Sequence, residues 1–186
     1  CSTVRQIHPD GNCEQVLARI GPDHQLMDMK RMLRMPRQTE KNWTPIVGEN
    51  KNDLAFMWRP LELVNTKGET IHKRDPLLAV DNISGSSQLI EFKGGWLGIT
   101  HEARCLPGSH LRYYYHRFAQ YDLDFEVVQF SRPFYFNDKT IEFCAGMCWH
   151  PTLQQLVISY GYKDCEARIA TVSAADGERF LWQDPQ

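Results

Sequence analysis

Two short segments combine residue types that bind a sugar or an anion. Lys41, Asn42 and Trp43 place a cation, an amide and an indole together before a predicted strand. Trp58 and Arg59 end the next predicted strand, and the proline that follows keeps Arg59 extended and aims its guanidinium. Indole faces suit the apolar CH face of a sugar ring, and a lysine with an arginine suits phosphate. The alternatives are a core role for the indoles and a plain surface role for the cations.

A third candidate group contains a histidine and several carboxylates. His101 and Glu102 end one predicted strand, and Glu142 lies in another. Asp164 lies in a polar turn between two apolar strands, within the segment 160–168. Glycoside hydrolysis needs two carboxylates, one as acid and one as base or nucleophile, so Glu102 and Glu142 are candidate catalytic residues. A hydrogen-bonded structural histidine and a solvated turn are the alternatives.

Motifs of metal sites and of nucleophilic serines are missing from the sequence. There is no HExxH, and the six cysteines show no CxxC spacing, so no metal is predicted. The GxSxG pattern of a nucleophile elbow is also missing. Unpatterned cysteines are typical of buried or free thiols in a reducing compartment, so a cytoplasmic location is expected.

Length and composition restrict the class of protein. The chain has 186 residues, 42% of them hydrophobic, and a formal net charge of −2. This length fits one domain or two small ones. Plentiful aromatic and β-branched residues exclude intrinsic disorder, and no apolar stretch approaches the roughly 18 residues of a membrane span. No basic stripe indicates nucleic acid as a partner.

Short apolar runs dominate the chain from residue 40 onward. About ten or more runs follow one another at ~8–12-residue spacing, and no amphipathic helix is indicated. They cover residues 53–57, 61–64, 77–80, 88–92, 96–100, 112–118, 125–130, 133–136, 141–148, 153–161, 167–173 and 180–182. Lys93-Gly94-Gly95 predicts a tight hairpin, and residues 65–68 predict another turn. The sequence therefore predicts an all-β fold: a sandwich, a barrel or a propeller.

Five short motifs occur in a fixed order along the chain. They are Glu40-Lys41-Asn42-Trp43-x-Pro45, Gly95-Trp96-Leu97-x-Ile99-x-His101, Ser131-x-Pro133-Phe134, Ile141-Glu142-Phe143-Cys144-Ala145-Gly146-Met147 and Ile158-Ser159-Tyr160-Gly161-x-x-Asp164-x-x-Ala167. This series resembles glycoside hydrolase family 130, the β-mannoside phosphorylases and related hydrolases. The resemblance runs from about residue 40 to residue 173, roughly three quarters of the chain.

The resemblance implies a five-bladed β-propeller of four-stranded blades with a sugar site in its axial funnel. Similar enzymes transfer a mannosyl unit to or from inorganic phosphate, or hydrolyse a β-mannoside, without a metal or organic cofactor. An oligosaccharide or glycoside is then the expected partner, and inorganic phosphate the expected co-substrate. Lys41 matches a phosphate-binding lysine, Asp164 an aspartate of the innermost sugar subsite, and His101 a histidine of the funnel. Tyr114 and His116 alternate along one strand and are expected to extend the rim.

Two departures from the family pattern affect the expected function. Trp58 stands where the phosphorylases have a phosphate-binding histidine, which argues against phosphorolysis. Five blades of ~50 residues need about 250 residues, so 1–186 is expected to be a single propeller domain or its C-terminal portion. The family's catalytic aspartate and phosphate-binding arginines would precede residue 1. The exposed sheet edge is then expected to be covered by a homo-oligomer partner or a missing N-terminal segment.

Three functions remain open at this point. The first is a carbohydrate-active enzyme that acts on β-mannosides as a phosphorylase or hydrolase. The second is a non-catalytic carbohydrate-binding or scaffolding propeller associated with a glycosyltransferase. The third is an unrelated all-β interaction module. A carboxylate other than Asp164 inside the funnel would favour the enzyme, and Glu40, Glu102 and Glu142 are the candidates.

Overall fold

The chain forms an all-β protein, which confirms the predicted fold class. A computed structural model describes residues 2–4, 11–32, 41–47, 54–59, 62–73, 82–105, 107–108, 111–173 and 175–176. Within these residues, fifteen strands form four separate antiparallel sheets, and none of the four closes on itself. No helix in the described ranges is long and apolar enough to cross a membrane. The chain divides into two compact units, Cys1–Arg74 and Asp75–Gln186.

The first unit contains two sheets in which neighbouring strands follow one another along the chain. One sheet contains β1 (Ser2–Val4), β2 (Glu14–Ile20) and β3 (Leu26–Met32). The other contains β4 (Thr44–Val47), β5 (Leu54–Arg59), β6 (Glu62–Asn65) and β7 (Thr70–Lys73). A small core forms where Met32, Trp43 and Val64 pack together with Leu17 against them.

The second unit also contains two sheets. The larger one contains β8 (Ser84–Gly85), β9 (Ile90–Phe92), β10 (Gly95–Cys105), β11 (Arg112–Tyr121) and β12 (Val127–Phe130). The smaller one contains β13 (Glu142–Trp149), β14 (Gln155–Tyr162) and β15 (Glu166–Ser173). Every paired neighbour in both sheets is antiparallel, and β8 and β9 both pair with β10.

Local chemistry explains the two predicted turns. Lys93 and Gly94 both have positive φ, 48° and 75°, which is the geometry of the two-residue hairpin turn that matches strand twist. They join β9 to β10, as the sequence predicts. At the β6–β7 turn, the Asn65 side-chain oxygen accepts hydrogen bonds from the N–H groups of Lys67 and Glu69.

The core of the second unit lies between its two sheets. Along β14 every second residue is buried, from Leu156 to Tyr162, so one face of this strand turns inward. The buried cluster consists of Leu97, Ile99, Phe118, Cys144, Met147, Leu156 and Ile158. The Gln88 side-chain amide bonds both the N–H and the C=O of Met147. This pairing ties β13 to the segment before β9.

Some predicted strands have a different outcome. The run 133–136 forms only an isolated bridge between Phe134 and His116, and the chain then turns around the Glu142 carboxylate. The expected runs at 77–80 and 180–182 lie outside the described residues. β2 and β3 pair as an antiparallel hairpin whose register shifts between Leu17 and Arg19.

Candidate functional site

The predicted anion and sugar site of the first unit is described only in part. Lys41 is exposed, and Asn42 is half-buried with a φ of 62°. Trp43 is only 4% exposed and packs in the core, so its indole has no face for a sugar, and the core alternative holds for this residue. Trp58 and Arg59 end β5, but their side chains, like Glu40, lie outside the described part of the chain.

In the second unit, His101 lies near the end of β10 in an aromatic environment. Its Nδ1 is 2.8 Å from the Ser86 hydroxyl, and its ring is 6% exposed. The imidazole stacks on Tyr114 and meets the edge of Phe143, each at 5.3 Å between ring centroids. The serine contact was not predicted, since no local motif links Ser86 to His101. His101 is therefore held in place by a hydroxyl and two rings.

His116 shares a face with Tyr114, as strand alternation predicts, but that face points inward. Its side chain has no exposed surface and lies against Phe134 and Phe136, at 5.9 and 4.7 Å between ring centroids. Neither ring nitrogen has a hydrogen-bond partner among the described residues. Burial and then the neighbouring His101 lower the pKa of His116 to about 3, which the Glu142 backbone carbonyl partly offsets. The prediction that His116 extends the rim of the funnel is therefore wrong.

Glu102, the first candidate acid, is held between two arginines. Its carboxylate accepts hydrogen bonds from Arg104 Nη2 at 2.8 Å and from Arg117 Nε at 3.3 Å. The side chain is 11% exposed. Arg117 also donates to the Ser131 carbonyl, which fixes the position of its guanidinium. Each carboxylate oxygen of Glu102 thus already accepts a hydrogen bond from an arginine of the same sheet.

Glu142, the second candidate acid, closes a turn. Its side chain is fully buried, and its two oxygens accept hydrogen bonds from the backbone N–H groups of Phe136, Asn137 and Asp138. All three distances are 2.8–2.9 Å. The carboxylate thus replaces backbone acceptors that this segment lacks. Its contacts give Glu142 a structural role in holding the 136–138 turn.

An open concavity of about 550 Å³ lies on the smaller sheet of this unit. Its lining includes Phe143, Ser159, Tyr160, Asp164, Glu166 and Arg168. Phe143 also contacts His101, so the His101 cluster lies directly behind one wall of the concavity. Tyr160 stacks on Phe136 at 4.4 Å, which holds its ring in place. The concavity therefore brings predicted residue Asp164 close to the cluster around predicted residue His101.

Charged groups at the β14–β15 turn differ in how they are paired. Asp164 is exposed, has a φ of 56°, and has no hydrogen-bond or ion-pair partner in the described ranges. Glu166 accepts two hydrogen bonds from Arg168, at 2.7 and 3.0 Å, and this contact raises the pKa of Arg168. The Arg168 guanidinium also lies 3.9 Å from the centroid of the Tyr162 ring. Asp164 is thus the carboxylate of this turn that remains available to a ligand.

Two further kinds of chemistry concern the described residues, namely metal binding and thiol reactivity. No group of three His, Cys, Asp or Glu side chains among them could hold a metal ion. The five cysteines they include are free thiols. Cys144 is buried in the core, which raises the pKa of its thiol to about 12. This thiol therefore packs as a small apolar side chain.

The sequence of the chain matches no protein-family model and no curated protein. The proposed function therefore rests on the fold and on the concavity. Sequence analysis singled out the segment 160–168, which contains Tyr160 and Arg168, but missed Phe143 as a part of this concavity. Strand alternation was the signal that could have found Phe143, since it lies on the strand face opposite to buried Glu142 and Cys144.

Proposed function

We propose that this is a carbohydrate-active protein of the β-mannoside phosphorylase and glycosidase type, and that it binds a glycoside in the concavity beside Asp164. The observation that carries the proposal is the exposed Asp164 carboxylate, unpaired within the described residues, in the lining of the concavity, together with the half-buried ring of Phe143 in the same lining. Carboxylate oxygens accept hydrogen bonds from sugar hydroxyls, and ring faces pack against sugar CH groups. Four consecutive antiparallel sheets support an incomplete five-bladed propeller as the architecture.

The hydrogen bonds of the two candidate acids favour a binding function of this protein over a catalytic one. Glu102 is engaged by two arginines, and Glu142 by three backbone N–H groups. Both carboxylates already have hydrogen-bond partners within the protein. These contacts favour the alternative of a non-catalytic carbohydrate-binding or scaffolding propeller associated with a glycosyltransferase.

Hydrolysis of a β-mannoside is the second candidate function. One observation favours it: Asp164 and Glu166 line the same concavity, and two carboxylates are the minimum for glycoside hydrolysis. Phosphorolysis would add inorganic phosphate as a co-substrate. The purified chain should be incubated with β-linked manno-oligosaccharides, with and without phosphate. Free mannose would indicate a hydrolase, mannose 1-phosphate a phosphorylase, and binding without release a non-catalytic module.

Removal of the Asp164 carboxylate is expected to weaken glycoside binding strongly while the fold remains. The loss should be about tenfold or more in affinity, because hydrogen bonds to charged groups are the strong ones. Asp164→Ala also strains a left-handed backbone position, at a cost of about 1 kcal/mol in the free energy of unfolding. Asp164→Gly removes the carboxylate without that strain. Calorimetric titration with a manno-oligosaccharide measures the affinity.

The matched control is Asp124→Ala, which removes an exposed aspartate from another turn of the same unit. It should bind the glycoside like the unmodified chain. If both Asp164 variants unfold, Asp164 is structural, and the proposed site is wrong. If they fold and still bind, the glycoside lies elsewhere.

A further inference from the structure

A surface of the β10–β11 pair brings tyrosine rings and cations together, away from the His101 cluster. The strand register places Arg104 opposite Tyr113 and Glu102 opposite Tyr115, so these four side chains share one face. His101 is on the other face, because side chains alternate along a strand. We call this surface the tyrosine patch and define it as Tyr113, Tyr115, Tyr135, Arg104 and Lys139.

The three rings of the tyrosine patch are inclined to one another in edge-to-face contacts. Tyr113 and Tyr115 lie 5.7 Å apart at 60°, and Tyr115 and Tyr135 lie 6.1 Å apart at 65°. Tyr113 and Tyr115 are half-buried, and Tyr135 is 36% exposed. A planar base stacks on a single ring face, whereas a puckered ring can present CH groups to inclined faces. The inclined rings therefore suit a saccharide better than a nucleobase.

Both exposed charges of the tyrosine patch are positive. Lys139 Nζ lies 4.4 Å from the centroid of the Tyr113 ring, and the Arg104 side chain is 46% exposed. Arg104 donates to Glu102, which is itself largely buried and also bonded to Arg117. The contact with Glu102, followed by the nearby Tyr115 hydroxyl, raises the pKa of Arg104. The carboxylate on this face is therefore already paired, and the accessible cations attract an anion.

Two further carboxylates near the patch in sequence are also engaged. Asp138 accepts a hydrogen bond of 2.7 Å from the Tyr162 hydroxyl. Glu142 helps to raise the pKa of Tyr135, but its oxygens are directed to the backbone N–H groups of the 136–138 turn. Within the described residues, neither Asp138 nor Glu142 forms an ion pair with Arg104 or Lys139, so neither competes with a ligand for these cations.

We propose that the tyrosine patch is a second binding site, for a saccharide that carries an anionic group. The inclined rings contact the CH groups of the sugar. Arg104 and Lys139 hold its carboxylate, sulfate or phosphate through charge-assisted hydrogen bonds. This site does not use Asp164 or the concavity, so it stands or falls independently of the proposed glycoside site.

Three oligosaccharides of equal length test the ligand class. In the Asp164→Gly variant, which lacks the proposed glycoside site, a sulfated heparin tetrasaccharide and a tetramer of galacturonic acid are expected to bind about tenfold or more tightly than neutral mannotetraose. Their affinity should fall as salt is raised, because exposed charges are screened. Equal affinity for the neutral tetramer overturns the proposal. Tighter binding of a single-stranded oligonucleotide also overturns it, and so does complete displacement by inorganic sulfate at equal concentration.

Matched variants test the location of this site. Lys139→Gln and Tyr135→Ala are each expected to weaken binding of the sulfated tetrasaccharide by about tenfold. Lys93→Gln is the control, because Lys93 is also an exposed lysine over an aromatic ring, at 5.4 Å from Phe92. It should bind like the unmodified chain, as should Asp164→Ala. Equal losses in Lys93→Gln and Lys139→Gln would show a diffuse charge effect and reject the site.

Discussion

Replacement of His116 by phenylalanine is expected to remove most of the acid sensitivity of the second unit. The imidazole is fully buried among aromatic rings, and its pKa is lowered from 6.5 to about 3. Between these two pKa values, the His116 imidazole is protonated in the unfolded chain and neutral in the folded chain. Folding stability therefore falls as the pH falls through this window, by about 1.4 kcal/mol for each pH unit.

Urea denaturation at pH 7.5 and pH 5.0 measures this effect. The stability advantage of His116→Phe over the unmodified chain should be about 2 kcal/mol larger at pH 5.0 than at pH 7.5. The phenylalanine is larger than the imidazole, so some overpacking will offset the gain at both pH values alike. The change in the advantage with pH is therefore the decisive quantity.

Two further variants complete the His116 experiment. His116→Leu also lacks a titratable group but differs in shape, so it should show the same pH-dependent change with a different offset. His24→Asn removes an exposed histidine at a turn of the other unit and controls for loss of an imidazole. An advantage that stays constant from pH 7.5 to pH 5.0 in both core variants would show that His116 is protonated in the folded protein.

Replacement of Glu142 is expected to destabilise the same unit strongly. Glu142→Ala leaves the three N–H groups of residues 136–138 without their acceptor and removes a fully buried side chain. Unpaired buried polar groups cost ~1–3 kcal/mol each, so the expected loss is about 3 kcal/mol or more. Glu142→Gln keeps one oxygen, which can still accept two of these bonds, and should lose less. Urea denaturation at neutral pH gives both values.

The Glu142 variants also separate a structural role from a catalytic one. Glu91→Ala, at an exposed position of β9, is the control and should change stability little. If Glu142→Gln keeps full stability but loses an activity on β-mannosides, Glu142 is a catalytic residue and the structural role is wrong. If Glu142→Ala is the least stable, Glu142→Gln is intermediate and the unmodified chain is the most stable, the carboxylate holds the turn.

Local sequence signals predicted most of the strands of this protein. The pair Lys93-Gly94 adopts positive φ at both positions and closes the hairpin that the sequence indicates. Alternation of buried residues along β14 follows the apolar pattern of 153–161. These features depend on neighbours within a few residues, so they are encoded locally. The run 133–136 failed as a strand because the following turn wraps the Glu142 side chain, a contact that no local pattern reveals.

Side-chain roles were harder to predict than strands. Trp43 and His116 are residue types that bind ligands when exposed and support the core when buried. Their burial depends on what packs against them: Met32 and Val64 for Trp43, and Phe134 and Phe136 for His116. The candidate acids show the same limit, since the partners of Glu142 are backbone groups whose positions only the fold defines.

By itself, the sequence determined the all-β class, the turns and which residues share a strand face. The tertiary structure decided which of those faces is covered. It turned His116 inward and Asp164 outward, and it brought Phe143 against His101 beside the concavity. The physical reason is that the two-residue period of a β-strand specifies only which side chains share a face. Whether that face is buried depends on residues far away in the chain.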